Sequence, residues 1–233
     1  MEPLAPDADF PHHYALLDHV HARLKPRRYL EIGVDDGLSL RFATGADRVV
    51  GVDPALRDDV VAAHPDARLV EQTSDAFFAA HDLTELLGGP VDLAFIDGMH
   101  RFEFVLRDLA NVQPHCHDRT VVLIHDCLPT DAVCASRERT SVAWAGDVWR
   151  AAHALTVEPT GCRFVTLDVA PTGMGVLLGL ADAPPLADRL DGWIDRHGAV
   201  GFDRFEADPT TAVTAVPATR ATVDDLLPGP TGS

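Results

Sequence analysis

Short apolar runs alternate with amphipathic segments along most of the chain. The apolar runs predict strands at 27–33, 48–53, 67–72, 91–97, 120–126, 162–169 and 173–180. Because the first five are largely apolar rather than alternating, we expect them to be covered on both faces, as in a parallel sheet.

Helical periodicity fills the intervals between these runs. It predicts helices at 12–24, 39–44, 56–64, 75–87, 102–112, 148–155 and 186–197. Strands that alternate with helices indicate an α/β fold with a Rossmann-like, doubly wound sheet. Only Ala-Pro-Thr separates the last two strands, which permits a hairpin but no parallel crossover. We therefore expect a seven-stranded sheet, mostly parallel with an antiparallel last strand.

A chain of 233 residues is long enough for one well-buried core. We expect a single domain over 1–227 with an N-terminal helical segment, followed by a disordered tail at 228–233. The four cysteines show no CxxC spacing and are expected to be reduced thiols.

The charge balance is strongly acidic, with 36 Asp plus Glu against 19 Lys plus Arg and a net charge of −17. Such a surface repels phosphates, so neither nucleic acid nor a membrane is an expected partner. The sequence shows no leader pattern and no apolar stretch of roughly 20 residues, so we expect a cytoplasmic protein. The sequence does not decide the oligomeric state, and a homodimer is one option.

A glycine-bearing turn follows the first predicted strand. The strand ends at Glu31 and Gly33, the turn carries Gly37, and the second strand ends in Asp53, which is placed to accept ribose hydroxyls. Alternatively, these are ordinary turn glycines and Asp53 is a helix cap.

An oxidoreductase that binds a dinucleotide is the main rival interpretation. It normally needs GxGxxG against a pyrophosphate, whereas this turn carries Val34, Asp35 and Asp36. Two carboxylates would repel a pyrophosphate but tolerate a sulfonium and an amino group. The turn therefore favours S-adenosylmethionine as the cofactor.

Polar residues also end the fourth and fifth predicted strands. Asp97 ends the fourth with His100 three residues later, and His125 and Asp126 end the fifth. Neighbouring strand ends can bring these side chains together around a divalent cation such as Mg²⁺ or Mn²⁺. His100, with an ordinary pKa near neutrality, suits a general base. Alternatively, His100 caps the next helix and His125 stabilises a strand end.

Five other histidines have no such context and are expected at the surface: His12, His13, His19, His115 and His117. A long segment at 127–148 predicts a lid or a substrate wall, in which Arg137, Arg139 and Trp144 could contact an acceptor. A disordered surface loop is the alternative. Trp149 is expected to pack a helix against the sheet.

Between residues 29 and 180 the chain resembles the class I S-adenosylmethionine-dependent methyltransferases. E-I-G-V-D-D-G is similar to their first motif and V-G-V-D-P to their second. The resemblance implies that Glu31 and Gly33 line the methionine part, that Asp53 binds the ribose, and that Thr73, Ser74 and Asp75 lie near the adenine.

The F-I-D-G-x-H run, with a later strand that ends in His-Asp, resembles a subgroup of small-molecule O-methyltransferases, including some that act on sugars. In metal-dependent members the positions of Asp97, His125 and Asp126 hold the ion. Here His125 replaces an acidic residue, so the resemblance leaves metal dependence open.

We therefore expect methyl transfer from S-adenosylmethionine to a hydroxyl of a small-molecule acceptor, such as a sugar or a natural-product intermediate, with His100 as base. An amine acceptor, non-methylating use of the cofactor, and a non-catalytic nucleotide-binding module are the alternatives.

Overall fold

A central eight-stranded sheet organises the computed structural model, which describes residues 9–140 and 142–230. Its order is β3-β2-β1-β4-β5-β7-β6-β8. The strands are β1 (Arg28–Ile32), β2 (Arg48–Asp53), β3 (Arg68–Glu71), β4 (Val91–Ile96), β5 (Cys116–His125), β6 (Arg163–Asp168), β7 (Met174–Leu178) and β8 (Ala215–Pro217).

Strand directions confirm the predicted doubly wound α/β class. Strands β1 to β5 pair in parallel, and β7 runs antiparallel to both β5 and β6. The prediction of seven strands was wrong, because β8 adds an eighth that pairs in parallel with β6. Its three residues include a proline and are too short for a periodic pattern, so tertiary pairing alone defines this strand.

Helices flank the sheet at α1 (His13–Leu24), α2 (Asp58–Ala63), α3 (Ser74–Ala80), α4 (Leu83–Leu87), α5 (Phe102–Val112), α6 (Trp149–Val157), α7 (Leu190–Gly198), α8 (Phe202–Ala207), α9 (Pro209–Ala212) and α10 (Arg220–Leu226). Turns of 3₁₀ helix occupy Leu40–Gly45, Gln113–His115, Leu180–Asp182 and Leu186–Arg189.

Three predicted helices differ from the structure. The one at 39–44 is a 3₁₀ turn, and the one at 186–197 begins as one. The helix predicted at 75–87 is divided into α3 and α4, because the side chain of Asp82 accepts a hydrogen bond from the backbone N–H of Glu85 and starts a new helix.

Buried side chains form one core on each face of the sheet. Alternation along β1 places Leu30 and Ile32 in one core and Tyr29 in the other, which includes α1 and α10. Trp149 packs at 1% exposure against Phe202 and Phe205, which confirms its predicted packing role.

Among the described helices, none has the length and apolarity needed to span a membrane. Of the tail predicted to be disordered, 231–233 lie outside the described residues. The carbonyls of Gly229 and Pro230 accept hydrogen bonds from the guanidinium of Arg119.

Candidate active site

A cavity of about 600 Å³ opens at the carboxyl edge of the parallel strands. Open α/β sheets bind ligands at this edge. Nine of the predicted site residues line the cavity: Gly33, Asp53, Thr73, Ser74, Asp75, Asp97, His100, His125 and Asp126. Most of the predicted site residues therefore lie in the cavity wall.

Gly33 brings the turn after β1 against the end of β4. Its φ is +89°, and a Cβ there would lie 2.0 Å from the carbonyl oxygen of Asp97. Both features exclude a side chain. The glycine thus sets how closely the turn approaches Asp97.

Asp53 shapes the same turn from the end of β2. Its Oδ2 accepts hydrogen bonds from the backbone N–H groups of Val34 and Asp35, each at 3.0 Å, and its Oδ1 accepts one from Ala55 at 2.8 Å. Besides lining the cavity where a ribose is expected, this carboxylate fixes the turn.

Two residues expected at the cofactor lie behind the cavity wall instead. Glu31 is fully buried and accepts hydrogen bonds from the hydroxyls of Tyr29, at 2.7 Å, and Ser39. Burial raises the pKa of Glu31 to about 8 despite those two bonds. Because Ser39 lines the cavity, Glu31 reaches the site only through it.

Gly37 is the second residue that was expected at the cofactor but does not line the cavity. It adopts a φ of +69°, and a Cβ there would meet the side chains of Val60 and His64 at 2.7 and 3.3 Å. The glycine lets the turn pack against α2.

Asp97, His100 and Asp126 converge at the other end of the cavity. His100 Nδ1 lies 2.7 Å from Asp126 Oδ2, and its Nε2 lies 3.4 Å from Asp97 Oδ1. Although burial opposes it, the hydrogen bond and charge of Asp126, together with Asp97, raise the pKa of His100. The imidazole is thus oriented by two carboxylates.

His125 lies deeper and pairs with the same two carboxylates. Its Nδ1 is 3.1 Å from Asp97 Oδ1 and 3.4 Å from Asp126 Oδ1. Burial opposes the charged form, but the two carboxylates raise the pKa of His125, and His125 in turn holds the pKa of Asp97 below its ordinary value. The two carboxylates therefore favour the charged form of His125.

A metal ion would meet a different ligand set from the one expected. Among the described residues, Asp97, His100 and Asp126 each offer a ligand atom, and these atoms all lie within 4.8 Å of one another. His100 takes the place that the sequence assigned to His125. Two carboxylates and one imidazole fit Mg²⁺ or Mn²⁺ in donor chemistry.

His13 was wrongly expected at the surface. It is 6% exposed, lines the cavity and packs on the ring of His125, with centroids 4.2 Å apart. Burial, followed by the charge of His125, lowers its pKa to about 3, so it stays neutral. The hydrophobic pattern does not predict the burial of His13, because it does not determine where α1 packs on the sheet.

The 127–148 segment forms the outer wall of the cavity beside Asp97, His100 and Asp126. Trp144 stacks on His100 with ring centroids 5.0 Å apart, and its carbonyl oxygen lies 3.0 Å from His100 Nδ1. Gly146 permits this contact, since a Cβ there would lie 1.8 Å from the carbonyl oxygen of His100. Arg139 also lines the cavity, with its guanidinium 5.9 Å from the Trp144 ring centre.

Arg137 does not line the cavity, contrary to expectation. Its guanidinium binds the carboxylates of Glu103, at 2.5 Å, and Asp147, at 2.5 Å. Glu103 lies in the first turn of α5, so its ion pair with Arg137 anchors the segment to the start of that helix.

Comparison with known proteins supports the predicted class. Residues 30–127 match a family model described as a methyltransferase domain. No curated protein matches the chain. Together with the fold, the domain match supports an S-adenosylmethionine-dependent methyltransferase of class I.

Several solved structures share this fold. They include an O-methyltransferase from Bacillus cereus with S-adenosylhomocysteine (14% identity, TM-score 0.55, covering 75% of this chain and 84% of that one). The O-methyltransferase TomG from Streptomyces achromogenes, in complex with S-adenosylmethionine, is 17% identical (TM-score 0.54, 72% and 79% covered). The methyltransferase PaMTH1 from Podospora anserina is 14% identical (TM-score 0.55, 72% and 77% covered). At these identities the likeness concerns the fold.

Proposed function

We propose that the protein methylates a hydroxyl group of a small molecule, such as a sugar or a natural-product intermediate, with S-adenosylmethionine as donor. The orientation of His100 between Asp97 and Asp126 carries the proposal. It sets a proton acceptor at one end of a cavity whose other end has the residues expected to bind a nucleoside.

The proposed step needs one proton acceptor and an in-line approach. The acceptor oxygen attacks the methyl carbon, the bond from that carbon to the sulfonium breaks, and the electron pair stays on sulfur in S-adenosylhomocysteine. His100 keeps its Nδ1 proton toward the carbonyl oxygen of Trp144 and the carboxylate of Asp126, so Nε2 is the atom that takes the hydroxyl proton.

A divalent cation is the alternative means of stabilising the oxygen. Asp97, His100 and Asp126 would hold it, and it would supply positive charge to the alkoxide that forms. The same residues would then serve as ligands instead of an acid–base group. The proposal for the reaction class does not depend on which of the two applies.

The test combines binding with turnover. Calorimetric titration with S-adenosylhomocysteine should show binding to the wild type and to His100→Ala alike, because His100 lies beyond the cofactor end. Methyl transfer to a panel of sugars and phenols should fall by about 10² to 10⁴ in His100→Ala. Absence of wild-type binding, or undiminished turnover by the variant, would contradict the proposal.

Assays with EDTA and with added Mn²⁺ separate the two forms of catalysis. If turnover resists EDTA, His100 acts as a base alone. If EDTA abolishes turnover and Mn²⁺ restores it, the three residues hold an ion. Asp131→Ala is a matched control, since Asp131 is exposed and its carboxylate accepts hydrogen bonds from its sequence neighbours, the backbone N–H groups of Val133 and Cys134 and the hydroxyl of Thr130.

A further inference from the structure

Helix α5 presents two side chains to the cavity end that lies beyond Asp53. Phe104 and Asp108 are one helical turn apart and both line the cavity, together with Thr73 and Ser74 at the start of α3. In the sheet, β3 lies outside β2. If the ribose binds at Asp53, the adenine attached to that ribose extends toward this end of the cavity.

Asp108 is an unusual residue for such a wall. It is 2% exposed, and within the described chain its Oδ1 has no hydrogen-bond partner. The side chain of Ser74 hydrogen-bonds to the carboxyl group. A buried acceptor that lacks a partner is costly, so its retention in a ligand cavity indicates that a ligand donor completes it.

Neighbouring charged groups are already paired. The carboxylate of Asp75 binds Arg107 at 2.8 Å, and the same guanidinium lies 5.1 Å from the centre of the Phe104 ring. These contacts hold Phe104 and Asp75 in place and leave Asp108 Oδ1 for a partner from outside the chain.

We propose that Asp108 recognises the adenine of S-adenosylmethionine by accepting a hydrogen bond from its 6-amino group through Oδ1. The inference rests on the cofactor assignment within the proposed function, but not on the acceptor. Phe104 supplies an apolar ring beside the base, and Ser74 holds the carboxyl group in position.

The protonation of Asp108 is compatible with this role. Burial raises its pKa to about 7, with Asp75 adding to the effect and the Ser74 hydrogen bond opposing it. The carbonyl oxygen of a neutral carboxyl group still accepts a hydrogen bond from an amine. An asparagine amide oxygen can do the same, which provides a conservative variant.

The experiment is a calorimetric cycle with two ligands. S-Adenosylhomocysteine and its analogue with purine in place of adenine, which lacks the 6-amino group, are titrated into the wild type, Asp108→Ala and Asp108→Asn. We expect the wild type to bind the analogue about fivefold more weakly, as the loss of one hydrogen bond predicts. Asp108→Ala should bind both ligands equally, and Asp108→Asn should retain most of the discrimination.

Asp195→Asn, an exposed change on α7, is the control and should leave both affinities unchanged. Asp108→Leu, similar in volume, replaces Asp108→Ala if the alanine variant fails to fold. Equal binding of both ligands by the wild type would overturn the inference, as would full discrimination by the Ala or Leu variant. Failure of the wild type to bind S-adenosylhomocysteine would instead reject the cofactor assignment, and the inference with it.

Discussion

The imidazole of His100 and the indole of Trp144 stack almost parallel, with an interplanar angle of 8° and ring centroids 5.0 Å apart. Trp144 is itself fixed by a hydrogen bond from its Nε1 to the carbonyl oxygen of Ser136 at 2.6 Å. The 127–148 segment therefore helps to set the plane of the His100 ring.

Trp144→Ala should lower kcat by about fivefold, since an aromatic contact of this kind is worth roughly 1 kcal/mol. Affinity for S-adenosylhomocysteine should not change, because the cofactor end of the cavity is untouched. Methyl-transfer kinetics and calorimetry measure the two effects. Trp144→Phe keeps an aromatic ring and should retain most of kcat; equal losses in both variants would show that the ring contact is not what matters.

The pH dependence of turnover follows from the two carboxylates beside His100. Its folded pKa is raised above the ordinary value of 6.5, so the base form gains population only as the pH rises past that value. In EDTA-treated enzyme, kcat should therefore increase from pH 6.5 upward. Asp126→Asn removes the charge that raises the pKa and should move the rise to lower pH. An unshifted profile would contradict the assignment of His100 as base.

Asp53→Ala should weaken S-adenosylhomocysteine binding by roughly 100-fold, as the loss of two hydrogen bonds to a charged group predicts. The variant loses contacts to the ligand and also the bonds that fix the backbone of Val34 and Asp35. Titration calorimetry measures the change. Asp47→Ala is the control, because Asp47 is exposed and pairs only with Arg27. Unchanged affinity of Asp53→Ala would mean that the ribose lies elsewhere.

Several residues of the cavity wall could be predicted because parallel strands carry their functional residues at one edge. Asp53 ends a strand whose apolar pattern is strong, and Gly33, Asp97 and Asp126 directly follow such strands, so the strand positions determined theirs. Gly33 and Asp53 could thus be placed in the cavity wall without any knowledge of the packing.

Other placements depended on packing, which periodicity does not describe. Glu31 was expected in the site, but strand alternation turns its side chain behind the wall toward Tyr29 and Ser39. His13 entered the site because α1 docks over β5, a contact made across more than 100 residues. Asp108 falls in the middle of a correctly predicted helix, where only the neighbouring α3 shows that it faces the cavity.

Gly33→Ala should abolish cofactor binding and reduce stability. A methyl group would need to occupy space 2.0 Å from the carbonyl oxygen of Asp97, at a φ of +89° that alanine rarely adopts. Gly45→Ala is the matched control: a Cβ there meets nothing within 4 Å, and we expect native-like melting and affinity. Thermal unfolding and titration with S-adenosylhomocysteine measure both variants. Native affinity in Gly33→Ala would show that the turn is able to withdraw from β4.

Glu31→Gln should make stability less dependent on pH. The folded pKa of Glu31, about 8, exceeds its ordinary value of 4.5, so the folded state holds this proton more tightly than the unfolded state. That contribution is fully present below pH 4.5 and is lost as the pH rises through 8. The loss amounts to at most roughly 5 kcal/mol, at about 1.4 kcal/mol per pKa unit.

Glutamine cannot ionise, so Glu31→Gln should not show this loss. Its amide oxygen can accept a hydrogen bond from one of the hydroxyls of Tyr29 and Ser39, and its amide N–H can donate to the oxygen of the other. Urea unfolding at pH 5 and pH 9 should therefore show a smaller decrease for Glu31→Gln than for the wild type. All other titrating groups are common to both proteins and cancel in the comparison. Glu206→Gln, at an exposed position of α8, should follow the wild type. Parallel decreases in Glu31→Gln and the wild type would mean that Glu31 is ionised in the folded protein across this range, and that the hydroxyls of Tyr29 and Ser39 outweigh its burial.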